Sequence, residues 1–466
     1  MPRNQIRNTQ HAIAGFFSDR EYFRRLVKIG VPIAFQQLIM SSLNMVGVVM
    51  IGQLGAAPVA AVGLANQIFF LLNLVLFAIG SGSAMFTAQL WGTRDIRNIR
   101  RVLGLALTLG LLIATFFLCV AEFFPEQVLS IYSKDQVVIS NGSDYLRIIG
   151  FSFLFFAISF CYSSILRSTG DVHTPLIVTL ISLLLNTLLS YTLIFGKFGL
   201  PSMGVQGAGI AVLCSRIVEC ALLLIIIYRK HSPAAGKLSE IFSYDRAFAR
   251  LVLIPILPVV GNEILWSFGI TAYNVIYARM GTNEIAAMNI VASIDQVAFV
   301  IFIGIGNACA IMVGNRIGAG DEAQAFRYAT RSLVLSILGG ILMGTILLAC
   351  RDLVLSLYNV SPVVIGYAYR VLTIIGLMLW LRASNMTLFV GILRSGGDTR
   401  FAFILDGIII WVVGVPLAFT AAFILYLPVY WVYLFVMSEE IVKWILGVYR
   451  FRTRKWIHNL AHTVEA

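Results

Sequence analysis

Leu103–Val120 and Leu176–Phe195 each run without a single charged side chain, and much of the chain repeats this pattern. An uncharged apolar run of about 18 or more residues is long enough to cross a bilayer as a helix. Of the 466 residues 59% are hydrophobic and 12% charged, whereas a soluble domain carries roughly 25% charged residues. The sequence therefore predicts an all-α integral membrane protein of twelve transmembrane helices. The spans are placed at 29–51, 60–91, 102–121, 145–166, 175–195, 204–228, 251–278, 286–315, 328–349, 366–393, 401–424 and 426–449. The second and eighth exceed the length a bilayer needs, so they are expected to tilt, bend or protrude.

The net charge of +12 is not the mark of a nucleic-acid partner, because the basic residues sit in short segments between apolar runs. With the N-terminus inside, Arg20, Arg24, Arg25 and Lys28, then Arg94, Arg97, Arg100 and Arg101, fall on inner segments. So do Arg229, Lys230, Lys237, Arg246 and Arg250, then Arg316, Arg327 and Arg331, and finally Arg450, Arg452, Arg454 and Lys455. The outer segments hold Lys134, Arg147, Lys197, Arg279, Arg351 and Arg370. Cytoplasmic loops carry the excess of Lys and Arg, so a multi-pass protein of the cell membrane with both termini cytoplasmic is expected. The N-terminal 28 residues lead into a span too long for a signal-peptide core, so no cleavable leader is expected. The six cysteines lie in apolar runs without a CxxC pair and are expected to be small buried apolar residues. No His falls in a span, and no HExxH, GxSxG, P-loop or GxGxxG motif occurs. The chain is read as no enzyme, with no metal site and no cofactor.

The two halves of the sequence resemble each other. At an offset of 226 residues Pro258 meets Pro32, Gly281 meets Gly55, Gly306 meets Gly80, Gly318 meets Gly92 and Asp321 meets Asp95. At an offset of 227, Ile392–Asp398 (ILRSGGD) meets Ile165–Asp171 (ILRSTGD). Each repeat holds six spans, an even number, so the two six-helix lobes keep one orientation and form a parallel internal repeat. Transporters commonly use this design, with substrate and ion sites near the membrane midplane. The expected organisation is a cytoplasmic N-terminal segment 1–28, an N-lobe 29–228, a polar basic linker 229–250, a C-lobe 251–449 and a cytoplasmic tail 450–466.

Pro32 followed by Met50-Ile51-Gly52-Gln53-Leu54-Gly55, the segment Ile165–Asp171 and the segment Gly199–Ala211 resemble the multidrug and toxic compound extrusion (MATE) family, in order and in both repeats. The resemblance implies two six-helix lobes forming a V-shaped antiporter that expels organic cations or other amphiphiles in exchange for Na⁺ or H⁺, and it favours a monomer. Gly47 and Ser190 stand where many members carry Asp, and Ala383 where one branch carries Asp. Glu263, eight residues after Pro255, matches the Glu of that branch.

Ionisable side chains inside a bilayer are costly and are functional candidates by default. Glu263 and Asp295 are the candidate ion-coupling acids, for a proton or Na⁺. Arg382 is a candidate partner of either, with a permanent structural pair as the alternative. Gln36, Gln37, Asn44, Gln67, Asn186 and Asn262, with the aromatic Trp266 and Tyr273, are candidates for a substrate cavity, since an amide would otherwise stand unsatisfied in hydrocarbon. Arg216 and Glu219, and likewise Glu439 and Lys443, have the spacing of local helical pairs and are read as structural. Asp406, one turn inside its span, is read as solvated. The expected partners are a small-molecule substrate and membrane lipids. A lipid-linked oligosaccharide flippase of related architecture is the alternative function.

Overall fold

The computed structural model of the chain describes residues 19–465, with all of their side chains but those of Asn44, Val464 and Glu465. The fold is helical throughout, and among the described residues eleven helices are long and apolar enough to cross a membrane. They are α1 Arg20–Gly52, α2 Ala56–Thr93, α3 Ile96–Phe123, α4 Gln136–Ser168, α5 His173–Phe195, α6 Gly204–Arg229, α7 Arg246–Met280, α8 Thr282–Gly318, α9 Glu322–Leu355, α10 Pro362–Arg394 and α11 Thr399–Ile424. A further long helix, α12 Val429–Arg452, carries Glu439, Glu440 and Lys443 along its length. Most helices overrun the predicted spans. α4 begins at Gln136 rather than near 145, because Asp135 caps its polar first turn by accepting from the Val137 N–H at 2.9 Å.

The sequence repeat is also a repeat of local structure. Asp95 and Asp321 cap α3 and α9 in the same way, accepting at 3.0 Å from Asn98 N and Gln324 N. The left-handed residues that precede them are Arg94, with φ 63, and Gly320, with φ 76. The later motif diverges. Asp171 accepts from the backbone and hydroxyl of Thr174, whereas Asp398 makes no such cap and pairs with Arg450 at 2.7 Å. The divergence extends into the helices that follow. α5 is α-helical throughout, while its counterpart α11 widens into π turns at Phe403–Ile408, Ile410–Gly414 and Thr420–Ile424. Such widened turns are rare and cluster at functional sites.

Packing divides the chain into two compact units, and the division passes through α1 and α7 rather than through a loop. Of the described residues, one unit contains 19–34 with Leu265–Asn459, and the other contains Phe35–Ile264 with 460–465. The core of the Phe35–Ile264 unit gathers Leu72, Leu76, Leu146 and Phe153 in one cluster and Phe86, Leu90, Ile99, Leu103 and Ile165 in another. The Leu265–Asn459 unit buries Val371, Leu372 and Ile375 of α10 against Val429, Val432 and Val436 of α12. Its α9 and α10 touch backbone to backbone, since a Cβ on Gly344 would lie 2.0 Å from the Gly376 carbonyl oxygen. Helices in lipid gain from such close approach because apolar side chains alone give no preference for protein over acyl chains.

The start of α1 is fastened to this same unit. Tyr22 is fully buried, its hydroxyl 2.8 Å from Ser332 Oγ and its ring 5.2 Å from that of Tyr328. Asp19 pairs with Arg331 and accepts from Tyr22 N at 3.1 Å. Burial pushes the Asp19 carboxyl up, but the Tyr22 N–H and the Arg331 guanidinium outweigh it and hold the group below its usual value. The cysteines are free, and four of them are buried or half-buried as expected, but Cys119 and Cys350 are exposed on the outer faces of α3 and α9. An apolar run in a membrane helix has a lipid-facing side as well as a packed one, and hydropathy does not distinguish them.

Candidate functional site

Each unit carries a line of polar side chains through its apolar helices. In the Phe35–Ile264 unit, Gln36 Nε2 on α1 donates to Thr179 Oγ1 on α5 at 3.0 Å, and that hydroxyl donates to Glu219 Oε1 on α6 at 3.3 Å. Arg216, three residues before Glu219, closes the line at 2.6 Å. Its guanidinium lies 4.7 Å from the Phe156 ring centroid, a cation–π contact that helps hold the charge where water is scarce. The local Arg216–Glu219 pair expected from the sequence is therefore present, but it is the end of a three-helix network.

The Leu265–Asn459 unit is more heavily charged. Asp295 on α8 and Arg382 on α10 pair at 2.7 Å, with their side chains 17% and 21% exposed. The Arg382 guanidinium lies 5.1 Å from the Phe299 ring centroid. Deeper in the packing, Tyr273 on α7 donates to Glu439 Oε2 on α12 at 2.7 Å. Lys443, whose side chain is 1% exposed, reaches Glu439 at 3.3 Å and Asp406 on α11 at 3.2 Å. Arg394 stands 4.0 Å from the second oxygen of Asp406. Asn385 donates to the Glu440 carboxylate at 2.6 Å and to its backbone carbonyl at 2.8 Å. One lysine is thus shared by two carboxylates from neighbouring helices. A charge buried here is tolerated only because each member has a partner of opposite sign or a hydrogen-bond donor.

Asp406 is consequently not solvated, as its distance from the span end suggested. It is 17% exposed and engaged by a lysine from α12. Two of these positions have repeat counterparts. At the 227-residue offset Lys443 meets Arg216 and Asp406 meets Thr179, so in each unit a cation and a polar group on the helix before it join one network, directly in Lys443–Asp406 and through Glu219 in Arg216–Thr179. That correspondence is a sequence signal that marks Asp406 and Lys443 as a pair, alongside the local i, i+4 spacing of Glu439 and Lys443.

The remaining candidates fall as follows. Of the two partners open to Arg382, the structure pairs it with Asp295. Glu263 is half-buried on α7 and belongs to the other unit, as does its neighbour Asn262, which is 2% exposed. Gln36 is buried in the network just described, Gln37 is half-buried, and Gln67 is exposed. Asn186 on α5 is half-buried, and its Oδ1 has no hydrogen-bond partner among the described residues. Such an atom, removed from water, is suited to meet a ligand or a water molecule. Trp266 is 40% exposed, while Tyr273 is committed to Glu439. The side chain of Asn44 lies outside the described residues. Among the described residues no cluster of His, Cys, Asp and Glu suits a metal ion.

The chain matches the MatE family twice, over residues 32–192 and 258–420. The two matches begin 226 residues apart, the offset at which the sequence repeats. It is 24% identical over 447 residues to a probable multidrug resistance protein NorM of Thermotoga maritima, covering 96% of this chain and 95% of that one. It is 30% identical over 420 residues to a probable multidrug resistance protein NorM of Rhizobium meliloti, covering 86% and 87%. In fold it is similar to the MATE transporter VcmN of Vibrio cholerae in its bent form, with a TM-score of 0.84 at 16% identity over 94% of this chain and 99% of that one. A MOP superfamily transporter from Pyrococcus furiosus is similar at a TM-score of 0.82 and 18% identity, over 95% and 96%.

Proposed function

We propose, for a chain that belongs to the MatE family of multidrug efflux transporters, that it is a secondary active antiporter exporting organic cations or amphiphilic drugs and metabolites in exchange for Na⁺ or H⁺. It works as a monomer with both termini in the cytoplasm, and its two six-helix lobes rock to give alternating access. The observation that carries this reading is the Asp295–Arg382 pair at 2.7 Å, held between two apolar helices.

A cation that reaches Asp295 competes with Arg382 for the carboxylate. Protonation, or coordination of Na⁺ by this carboxylate with further oxygens, neutralises the acid and releases the guanidinium. The released arginine then favours a different packing of α8 against α10. Glu263 on α7 supplies the second exchangeable acid. Substrate and ion each shift the lobes only by the difference in their affinity for the two arrangements, so a site that binds the ion in one arrangement and loses it in the other suffices to couple them. The lipid-linked oligosaccharide reading calls for cations free to hold a diphosphate. Arg216, Arg382 and Lys443 each face a carboxylate instead, which favours ion-coupled efflux.

The test is efflux of ethidium from proteoliposomes of controlled orientation, under a Na⁺ gradient or a pH gradient imposed separately. Transport driven by one gradient and abolished by Asp295→Asn or Glu263→Gln supports the proposal and names the ion. Transport that persists under the same gradient in both variants overturns it.

A further inference from the structure

We propose that the groove between the outer ends of α9, α10 and α12 binds the headgroup and upper acyl chain of an anionic phospholipid. The groove has a volume of about 580 Å³ and lies wholly within the Leu265–Asn459 unit. Its rim carries Arg351 and Arg370, and its wall runs down through Ile374, Leu377 and Leu434.

The two arginines are what make the groove specific. Outer segments of this chain carry few cations, yet two of them converge here. Unlike Arg216, Arg382 and Lys443, neither is paired with a carboxylate among the described residues. Arg351 donates to Thr373 Oγ1 at 2.9 Å and to the Tyr369 hydroxyl, with its guanidinium carbon 3.9 Å from the Tyr369 ring centroid. Arg370 is exposed, its guanidinium carbon 4.7 Å from the Tyr430 ring centroid. These contacts orient the guanidinium groups without neutralising them, which leaves net positive charge for a phosphate.

The walls choose a lipid over a free anion. Trp431, on the same rim, is 46% exposed, and aromatic rings of this kind settle at the headgroup level of a bilayer. Leu377 is 61% exposed and lies seven residues beyond Arg370 on α10, roughly 10 Å further along the helix. A ligand that satisfies both ends must carry negative charge at one end and an apolar chain of about that length at the other. Inorganic phosphate meets only the first condition.

Binding is read by native mass spectrometry of the full chain, delipidated in detergent and titrated separately with dioleoylphosphatidylglycerol, dioleoylphosphatidylcholine and inorganic phosphate. This measurement needs no transport, so it stands or falls apart from the antiport proposal. The expected result is retention of phosphatidylglycerol at concentrations where phosphatidylcholine is lost, weakened on the order of tenfold in Arg351→Gln and in Arg370→Gln. Arg351→Gln also removes the bonds to Thr373 and Tyr369. Arg370→Gln, which disturbs only a ring contact at the surface, therefore serves as the variant least able to act through misfolding, and Arg370→Lys should retain most of the binding. Equal retention of the two lipids, or phosphatidylglycerol retention unchanged in Arg370→Gln, would overturn the proposal. So would displacement of the lipid by inorganic phosphate at matching concentration, which would assign the groove to a free anion.

Discussion

The hydroxyl of Tyr273 and the carboxylate of Glu439 meet at 2.7 Å across α7 and α12, and the backbone of α11 passes directly against that bond at Gly414. A Cβ at position 414 would lie 1.8 Å from the Tyr273 hydroxyl and 2.1 Å from Glu439 Oε2. Gly414→Ala should therefore force the pair apart and destabilise the protein by roughly 1–3 kcal/mol. Tyr273→Phe, which removes the donor without crowding, should cost about 1–3 kcal/mol by leaving a buried carboxylate oxygen unsatisfied. Thermal unfolding in detergent, followed by tryptophan fluorescence, checks both. If Gly414→Ala melts with the wild type, the close crossing is not what fixes this bond.

Lys443 is the shared counter-charge of Glu439 and Asp406. Removing one partner of a buried ionic group typically costs about 3–5 kcal/mol because an uncompensated charge remains. Lys443→Met should accordingly be among the most destabilising single substitutions in α12. Adding Asp406→Asn should recover part of the loss. Strict additivity of the two changes in a double-mutant cycle would show that the residues do not act together.

Arg382→Gln should alter coupling more than folding. The Asp295 carboxylate then loses its competitor, so the exchanged cation should bind more tightly and gradient-driven efflux of ethidium should fall by roughly tenfold or more. Asp295→Asn should abolish the gradient-driven efflux altogether. Titration of the purified protein with Na⁺ and with acid, read beside efflux, distinguishes tightened ion binding from a folding defect.

The Asp19–Arg331 contact predicts a pH dependence with a definite sign. The folded carboxyl titrates below its usual 3.8, so its contribution to stability is full above that pH and is lost as the pH falls through the lowered value. The difference in melting temperature between wild type and Asp19→Asn should thus be constant near neutrality and shrink below about pH 4. A difference that grows on acidification would contradict the depressed carboxyl.

Much of the fold was legible in the sequence because apolar run length responds to a single physical demand, the thickness of a bilayer. The repeat was legible for a different reason: Asp95 and Asp321 keep the same capping task, and that task fixes the residue type. What hydropathy concealed was polar helix beyond the spans, as in the first turns of α4, and the π turns of α11, which keep the apolar composition of an ordinary span. The site divides in the same way. Asp295 and Arg382 stood out as charges within apolar runs, but which acid Arg382 would meet depends on the approach of α8 to α10. The solvated reading of Asp406 fails because depth along its own helix does not fix its surroundings. Its environment is set by Lys443, which is distant in sequence.

The charges of α12 also bear on how the chain is made. Asp, Lys or Arg at the centre of a helix opposes entry into the bilayer by about 2.5–3.5 kcal/mol per residue, and Glu439, Glu440 and Lys443 all lie within α12. Their partners Tyr273, Asn385 and Asp406 belong to α7, α10 and α11, which leave the ribosome first. α12 is therefore a late arrival that is stable in lipid only beside helices already inserted. A substitution at Asp406 or Asn385 should appear in cells first as a chain with α12 left outside the membrane and cleared by proteolysis, before any fault in transport is seen.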